Sequence, residues 1–134
     1  MSTDRPRISV VNDNPDFLEL MAAILDDTAG YEVTLFDGER TTVAELAASE
    51  PALVIVDLLL GDTSGWELVT LSRSHEALAE TPIIVCSADV TTLREREAEL
   101  SKVANLHVLA KPFGIDEITA LVDRLLGRPA DVTR

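Results

Sequence analysis

Five times along this chain, a short apolar run of strand character is followed by a segment whose apolar residues recur at helical spacing. Such alternation with short connections calls for a parallel sheet covered by helices on both faces. Strand patterns fall at Arg7–Asn12, Tyr31–Phe36, Ala52–Asp57, Pro82–Ser87 and Asn105–Ala110. The first helical pattern runs from Pro15 to about Thr28, with Phe17, Leu20, Met21 and Ile24 on one face. Asn14-Pro15 is a good helix start, and Gly30 is a stop. A second, alanine-rich helix is predicted from about Thr41 to Ser49, and a third over Gly65–Glu80 carrying Trp66, Val69 and Leu78. The fourth, Thr91–Ala104, has only a thin stripe of Leu93, Leu100 and Val103. In the fifth, from about Ile115 to Leu126, the residues Ile115, Ile118, Val122 and Leu125 are predicted to face inward.

Right-handed crossovers leave few topologies for such a chain. Five strands suit a flavodoxin-like (βα)5 three-layer α/β sandwich with parallel strand order 2-1-3-4-5. A length of 134 residues allows one core, expected over residues 1–127, with 128–134 as a loose C-terminal tail. No internal repeat or low-complexity tract interrupts it. Acidic residues outnumber basic ones 24 to 11, for a net charge of −13. That charge repels a phosphate backbone or an anionic membrane, so neither nucleic acid nor membrane is expected as the main partner, whereas a divalent cation is compatible. The single cysteine, Cys86, has no internal disulfide partner and reads as a buried strand thiol. No N-terminal apolar segment is long enough for a signal peptide or membrane span, and the expected compartment is the cytoplasm.

Asp57 stands out within this frame. It ends the run Ala52-Leu53-Val54-Ile55-Val56 and is followed by Leu58-Leu59-Leu60, the most apolar stretch of the chain. A carboxylate there either lies at the open end of a buried strand or is paired. Ligands of open parallel sheets gather outside the carboxyl ends of the strands. Asp13, Ser87 and Lys111 also lie at or just past strand ends, and the order 2-1-3-4-5 brings all four to one rim. The chemistry this suits is phosphoryl transfer to a carboxylate, with Asp57 as nucleophile. Asp13 and Asp57 would hold Mg²⁺, a hard cation that takes oxygen ligands. Ser87 would donate to a phosphoryl oxygen and Lys111 would neutralise another. Taken singly, each has a duller use: a buried structural carboxylate, a helix cap at Asp13, a backbone partner at Ser87, a solvated Lys111. Lys111 is, however, one of two lysines beside nine arginines, which favours a position needing a compact ammonium.

Four motifs in order carry a family resemblance. They are Val10-Val11-Asn12-Asp13-Asn14-Pro15, Val56-Asp57-Leu58-Leu59-Leu60-Gly61 running to Ser64-Gly65-Trp66-Glu67-Leu68, Cys86-Ser87-Ala88, and Ala110-Lys111-Pro112-Phe113. Over about Arg7 to Gly127 the chain resembles the receiver domain of two-component response regulators, stand-alone or excised from a longer regulator. The resemblance implies a phosphorelay role in which Asp57 accepts a phosphoryl group from a phosphohistidine on a histidine kinase or histidine phosphotransfer protein. It implies a site with Mg²⁺ (or Mn²⁺), the Leu59 backbone carbonyl as a further ligand, and a cis Lys111–Pro112 bond. No enzymatic activity is implied beyond the chain's own aspartyl phosphorylation and dephosphorylation.

Two departures from the family pattern bear on function. An acidic pair usually ends the first strand, whereas this chain has Asn12-Asp13, and Asn12 is expected to reach a metal only through water. The position three before Lys111, commonly aromatic and part of the switch, is Val108. Output is therefore expected from a shift of helix and loop, with a downstream protein bound on the fourth helix, fifth strand and fifth helix, Arg94 and Arg96 included. Asn12 and Val108 also favour an alternative, a pseudo-receiver interaction module that signals without phosphorylation. A phosphatase of the aspartyl-phosphate type would want an Asp where Leu59 stands. A flavin carrier would want a Ser/Thr/Gly-rich loop where Asn12-Asp13-Asn14-Pro15 stands. His75 and His107 read as ordinary surface or strand residues.

Overall fold

The computed structural model describes residues 6–28, 30–37, 42–57, 59–60, 63–87, 105–110 and 114–127. Five parallel strands form the sheet: β1 (Arg7–Asn12), β2 (Glu32–Asp37), β3 (Leu53–Asp57), β4 (Ile83–Ser87) and β5 (Leu106–Ala110). Their order is β2-β1-β3-β4-β5, as the alternation predicts, and β1, β3 and β4 are the interior strands. The helices are α1 (Pro15–Ala22), α2 (Val43–Ala48), α3 (Gly65–Ser74) and α4 (Ile115–Leu125). The predicted fourth helix, the Lys111–Pro112 bond and the tail at 128–134 lie outside the described residues.

Side chains of a strand alternate between faces, so a strand covered on both faces is apolar throughout. β3 follows this rule, and all five of its residues are buried. Leu53 and Ile55 join Ile8, Val10, Ile84, Ile118 and Val122 in one cluster under α1 and α4. Val54 and Val56 join Val11, Leu46, Val69, Leu78 and Val85 in a second cluster under α2 and α3. Each such side chain contributes about 1.5–3 kcal/mol on full burial.

Three helical segments depart from the predicted pattern. The first helix is α-helical only to Ala22, and Ala23–Thr28 continues it as π-helix. Met21, Ile24 and Leu25 take the inward stripe, and Leu20, at its margin, is 53% exposed. Ile115, predicted inward, is also exposed, because it occupies the first turn of α4 ahead of the buried pair Ile118 and Val122. The third helix ends at Ser74, short of Glu80, where His75 turns to extended backbone and its Nδ1 accepts from the Ala77 N–H at 3.2 Å. Arg73 secures that turn by donating to the Leu78 carbonyl at 2.8 Å and the Asn105 carbonyl at 3.2 Å. Burial lowers the Arg73 pKa from its ordinary value. After β3 the chain also forms an unpredicted hairpin, with Leu59–Leu60 antiparallel to Thr63–Ser64.

Candidate functional site

Parallel pairing aligns the carboxyl ends of the interior strands. Asn12 stands opposite Asp37, Asp57 opposite Cys86, and Cys86 opposite Leu109. Val11 pairs with Val56, so Asn12 and Asp57 end neighbouring strands in step. By alternation from Ile8, Val10, Leu53, Ile55 and Ile84, the side chains of Asn12, Asp57 and Cys86 share the α1/α4 face. Asp57 is thus flanked by an amide and a thiol. Cys86 is fully buried and free of any disulfide, as expected of a strand thiol.

Asn12 and Asp57 are in direct contact. Asn12 Nδ2 donates to Asp57 Oδ2 at 3.0 Å, with the two residues 1% and 8% exposed. Asn12 Oδ1 accepts from the Asn14 backbone N–H at 2.8 Å. Asn14 in turn caps α1, its Oδ1 accepting from Asp16 N–H at 2.9 Å and Phe17 N–H at 3.4 Å. Because Asn14 is the cap, the capping use considered for Asp13 is already filled. Asp13 sits exposed in the bend between β1 and α1.

Ser87 ends β4 opposite Ala110, and Val108 lies in β5 opposite Val85. Lys111 follows Ala110 in sequence and lies outside the described residues. Leu59 pairs with Ser64 in the hairpin beyond β3. The structure therefore brings Asn12 onto Asp57, places Asp13 on the same rim, and puts the Ser87 backbone at the end of β4, the strand paired with that of Asp57. His107, read from sequence as an ordinary strand residue, has a buried Nε2 with no hydrogen-bond partner among the described residues. Burial, and secondarily the nearby Arg124 guanidinium, lower its pKa below the usual imidazole value. Its alternation with Leu109 was the available signal that it faces the α4 side.

A family model for the response regulator receiver domain matches residues 8–123. The chain belongs to the response-regulator receiver domains. This receiver is 31% identical over 133 residues to the transcriptional regulatory protein GltR of Pseudomonas aeruginosa, covering 96% of the chain and 52% of that protein. It is 29% identical to the sensor histidine kinase TmoS of Ectopseudomonas mendocina, covering 92% of the chain and 12% of that protein. The receiver thus spans about half the length, or less, of these curated relatives. The chemotaxis protein CheY4 of Vibrio cholerae has the same fold, with a TM-score of 0.80 at 24% identity, covering 90% of this chain and 98% of that one. Also similar is the receiver domain of a sensor histidine kinase from Pseudomonas aeruginosa, solved with a magnesium ion coordinated in its active site cleft. That match has a TM-score of 0.72 at 25% identity and covers 92% of this chain and 98% of that one.

At the rim the chain carries two side-chain carboxylates, Asp13 just past β1 and Asp57 at the end of β3, and carboxylate oxygens are donors that a hard dication takes. Among the described residues no group of three or more His, Cys, Asp or Glu side chains is placed to hold a metal. No helix among the described residues is long and apolar enough to cross a membrane.

Proposed function

We propose that this receiver takes part in a phosphorelay, with Asp57 accepting a phosphoryl group from a phosphohistidine on a histidine kinase or histidine phosphotransfer protein. The observation that supports this most is a carboxylate at the carboxyl end of a central, otherwise apolar strand, buried yet hydrogen-bonded to Asn12. In the transfer an Asp57 oxygen bonds to phosphorus while the P–N bond to the donor imidazole breaks, and the electron pair leaves with the imidazole. The product is an acyl phosphate.

Asp13, Asp57 and the Leu59 carbonyl would hold Mg²⁺ or Mn²⁺, with waters completing the shell. When bound, the ion would supply charge neutralisation for the phosphoryl oxygens. Ser87 donates to one phosphoryl oxygen and Lys111 pairs with another in this reading. The magnesium ion described for the Pseudomonas kinase receiver supports it. Output is read by a downstream protein on the side of β5 and α4, with residues 91–104, which lie outside the described residues, as further candidates for the contact. Both curated relatives above are signalling proteins, one a transcriptional regulator and one a sensor kinase.

The test is intact mass after incubation with Mg²⁺ and acetyl phosphate. A gain of one phosphoryl group, lost in Asp57→Asn, is expected. An unmodified wild type would favour the pseudo-receiver reading, for which Asn12 and Val108 speak.

A further inference from the structure

Asn12 makes two hydrogen bonds of opposite polarity. Its Oδ1 accepts from the Asn14 backbone N–H, and its Nδ2 donates to Asp57 Oδ2. These partners fix which end of the amide faces which, because a backbone N–H can only donate and an ionised carboxylate can only accept. An aspartate at position 12 would satisfy Asn14 but turn a second lone pair toward Asp57. Both residues are buried, so water would screen that repulsion poorly. Asparagine is therefore the residue that holds the Asp57 carboxylate by direct contact, where aspartate needs a cation between the two.

We propose that Asn12 is a positioning residue that holds the Asp57 carboxylate in its accepting orientation before any metal ion binds. This rests on Asp57 being the phosphoacceptor. The Asn12 bond draws electron density from Oδ2, which makes Oδ1 the attacking oxygen. As the Oδ1–P bond forms, the donor's bond to phosphorus breaks and its electron pair departs with the donor. Oδ2 then becomes the carbonyl oxygen of the acyl phosphate, still an acceptor for the same amide. The second bond, to Asn14, ties this geometry to the first turn of α1.

Two consequences follow for rates. Losing the bond in Asn12→Ala slows acceptance by about ten- to a hundredfold at fixed Mg²⁺, the scale of one hydrogen bond to a charged group. Asn12→Asp accepts more slowly than wild type at the lowest Mg²⁺ and recovers as Mg²⁺ is added, so its rate climbs more steeply with Mg²⁺.

The experiment follows acetyl phosphate labelling of the full chain by intact mass, from EDTA through a Mg²⁺ series, in wild type, Asn12→Ala and Asn12→Asp. Alongside it, ¹H–¹⁵N spectra of the metal-free chain read the Asn12 side-chain amide. One of its two protons should be shifted downfield and slow to exchange, and Asp57→Ala should abolish that while the Asn14 backbone amide keeps its bond to Asn12. Parallel Mg²⁺ curves for wild type and Asn12→Asp would overturn the proposal, as would an Asn12 amide indifferent to Asp57→Ala. Absence of labelling in wild type at every Mg²⁺ concentration, with the amide signature present, would instead overturn the phosphoacceptor reading beneath it.

Discussion

Two polar pairs, one buried and one partly buried, anchor β1 near its two ends, and they differ in charge. Ser9, 1% exposed, meets Ser49 with the hydroxyl oxygens 2.9 Å apart. The Ser49 hydroxyl donates its one proton to the Leu46 carbonyl at 2.6 Å, so Ser9 is the donor in the pair. This neutral chain of bonds stitches β1 to the end of α2. Asn12 and Asp57 at the other end bury a formal charge behind a neutral donor. Buried ionic groups seldom improve stability over apolar ones of similar size. A charge kept at the carboxyl rim, where a hydroxyl pair would suffice to join strands, is what the proposed acceptor role of Asp57 would explain.

The comparison breaks most visibly at Asp57. Asp57→Asn should abolish phosphoryl acceptance while changing the unfolding free energy by at most about 1–2 kcal/mol, the scale of one polar contact. Paired labelling and denaturant titrations check both halves. Ile55→Ala, two residues earlier on the same face, should do the reverse. It costs about 2–5 kcal/mol as a cavity in the α1/α4 cluster, read from the denaturation midpoint, and leaves labelling of the folded protein intact. Ser9→Ala should cost about 0.5–1.5 kcal/mol, with Ser49 keeping its bond to Leu46, and no change in labelling.

The smallest effect belongs to His107. Its pKa is lowered in the fold, so below about 6.5, the ordinary imidazole value, the unfolded chain binds a proton that the folded chain resists. Stability should be unaffected by this group above that pH and fall as pH drops from there through the lowered folded value. Subtracting the pH profile of His107→Gln from that of wild type isolates the effect, and identical slopes would remove it.

Much of this was legible in the chain because strand burial and strand order leave periodic marks. Each of the five strands lies within a residue of its expected position, and Asp57 announces itself by interrupting an apolar run. Asn12, by contrast, read as a missing charge that reaches a metal only through water. Its contact with Asp57 depends on β1 and β3 lying in step 45 residues apart in sequence, which no local pattern encodes. Leu20 and Ile115 were misread because helical spacing gives a stripe but not its margins. At Leu20 the π-helical continuation moves Ile24 and Leu25 to the centre, and at Ile115 the helix has barely begun. The hairpin after β3 left no readable pattern, because each of its strands is only two residues long.

The central claim is that Asp57 becomes an acyl phosphate, and chemical lability tests it most directly. Wild type and Asp57→Ala are incubated with Mg²⁺ and acetyl phosphate, and their intact masses are taken before and after hydroxylamine. The account predicts one phosphoryl group on wild type, removed by hydroxylamine, and none on Asp57→Ala. A phosphoryl group that survives hydroxylamine, or an equal gain in Asp57→Ala, would contradict it.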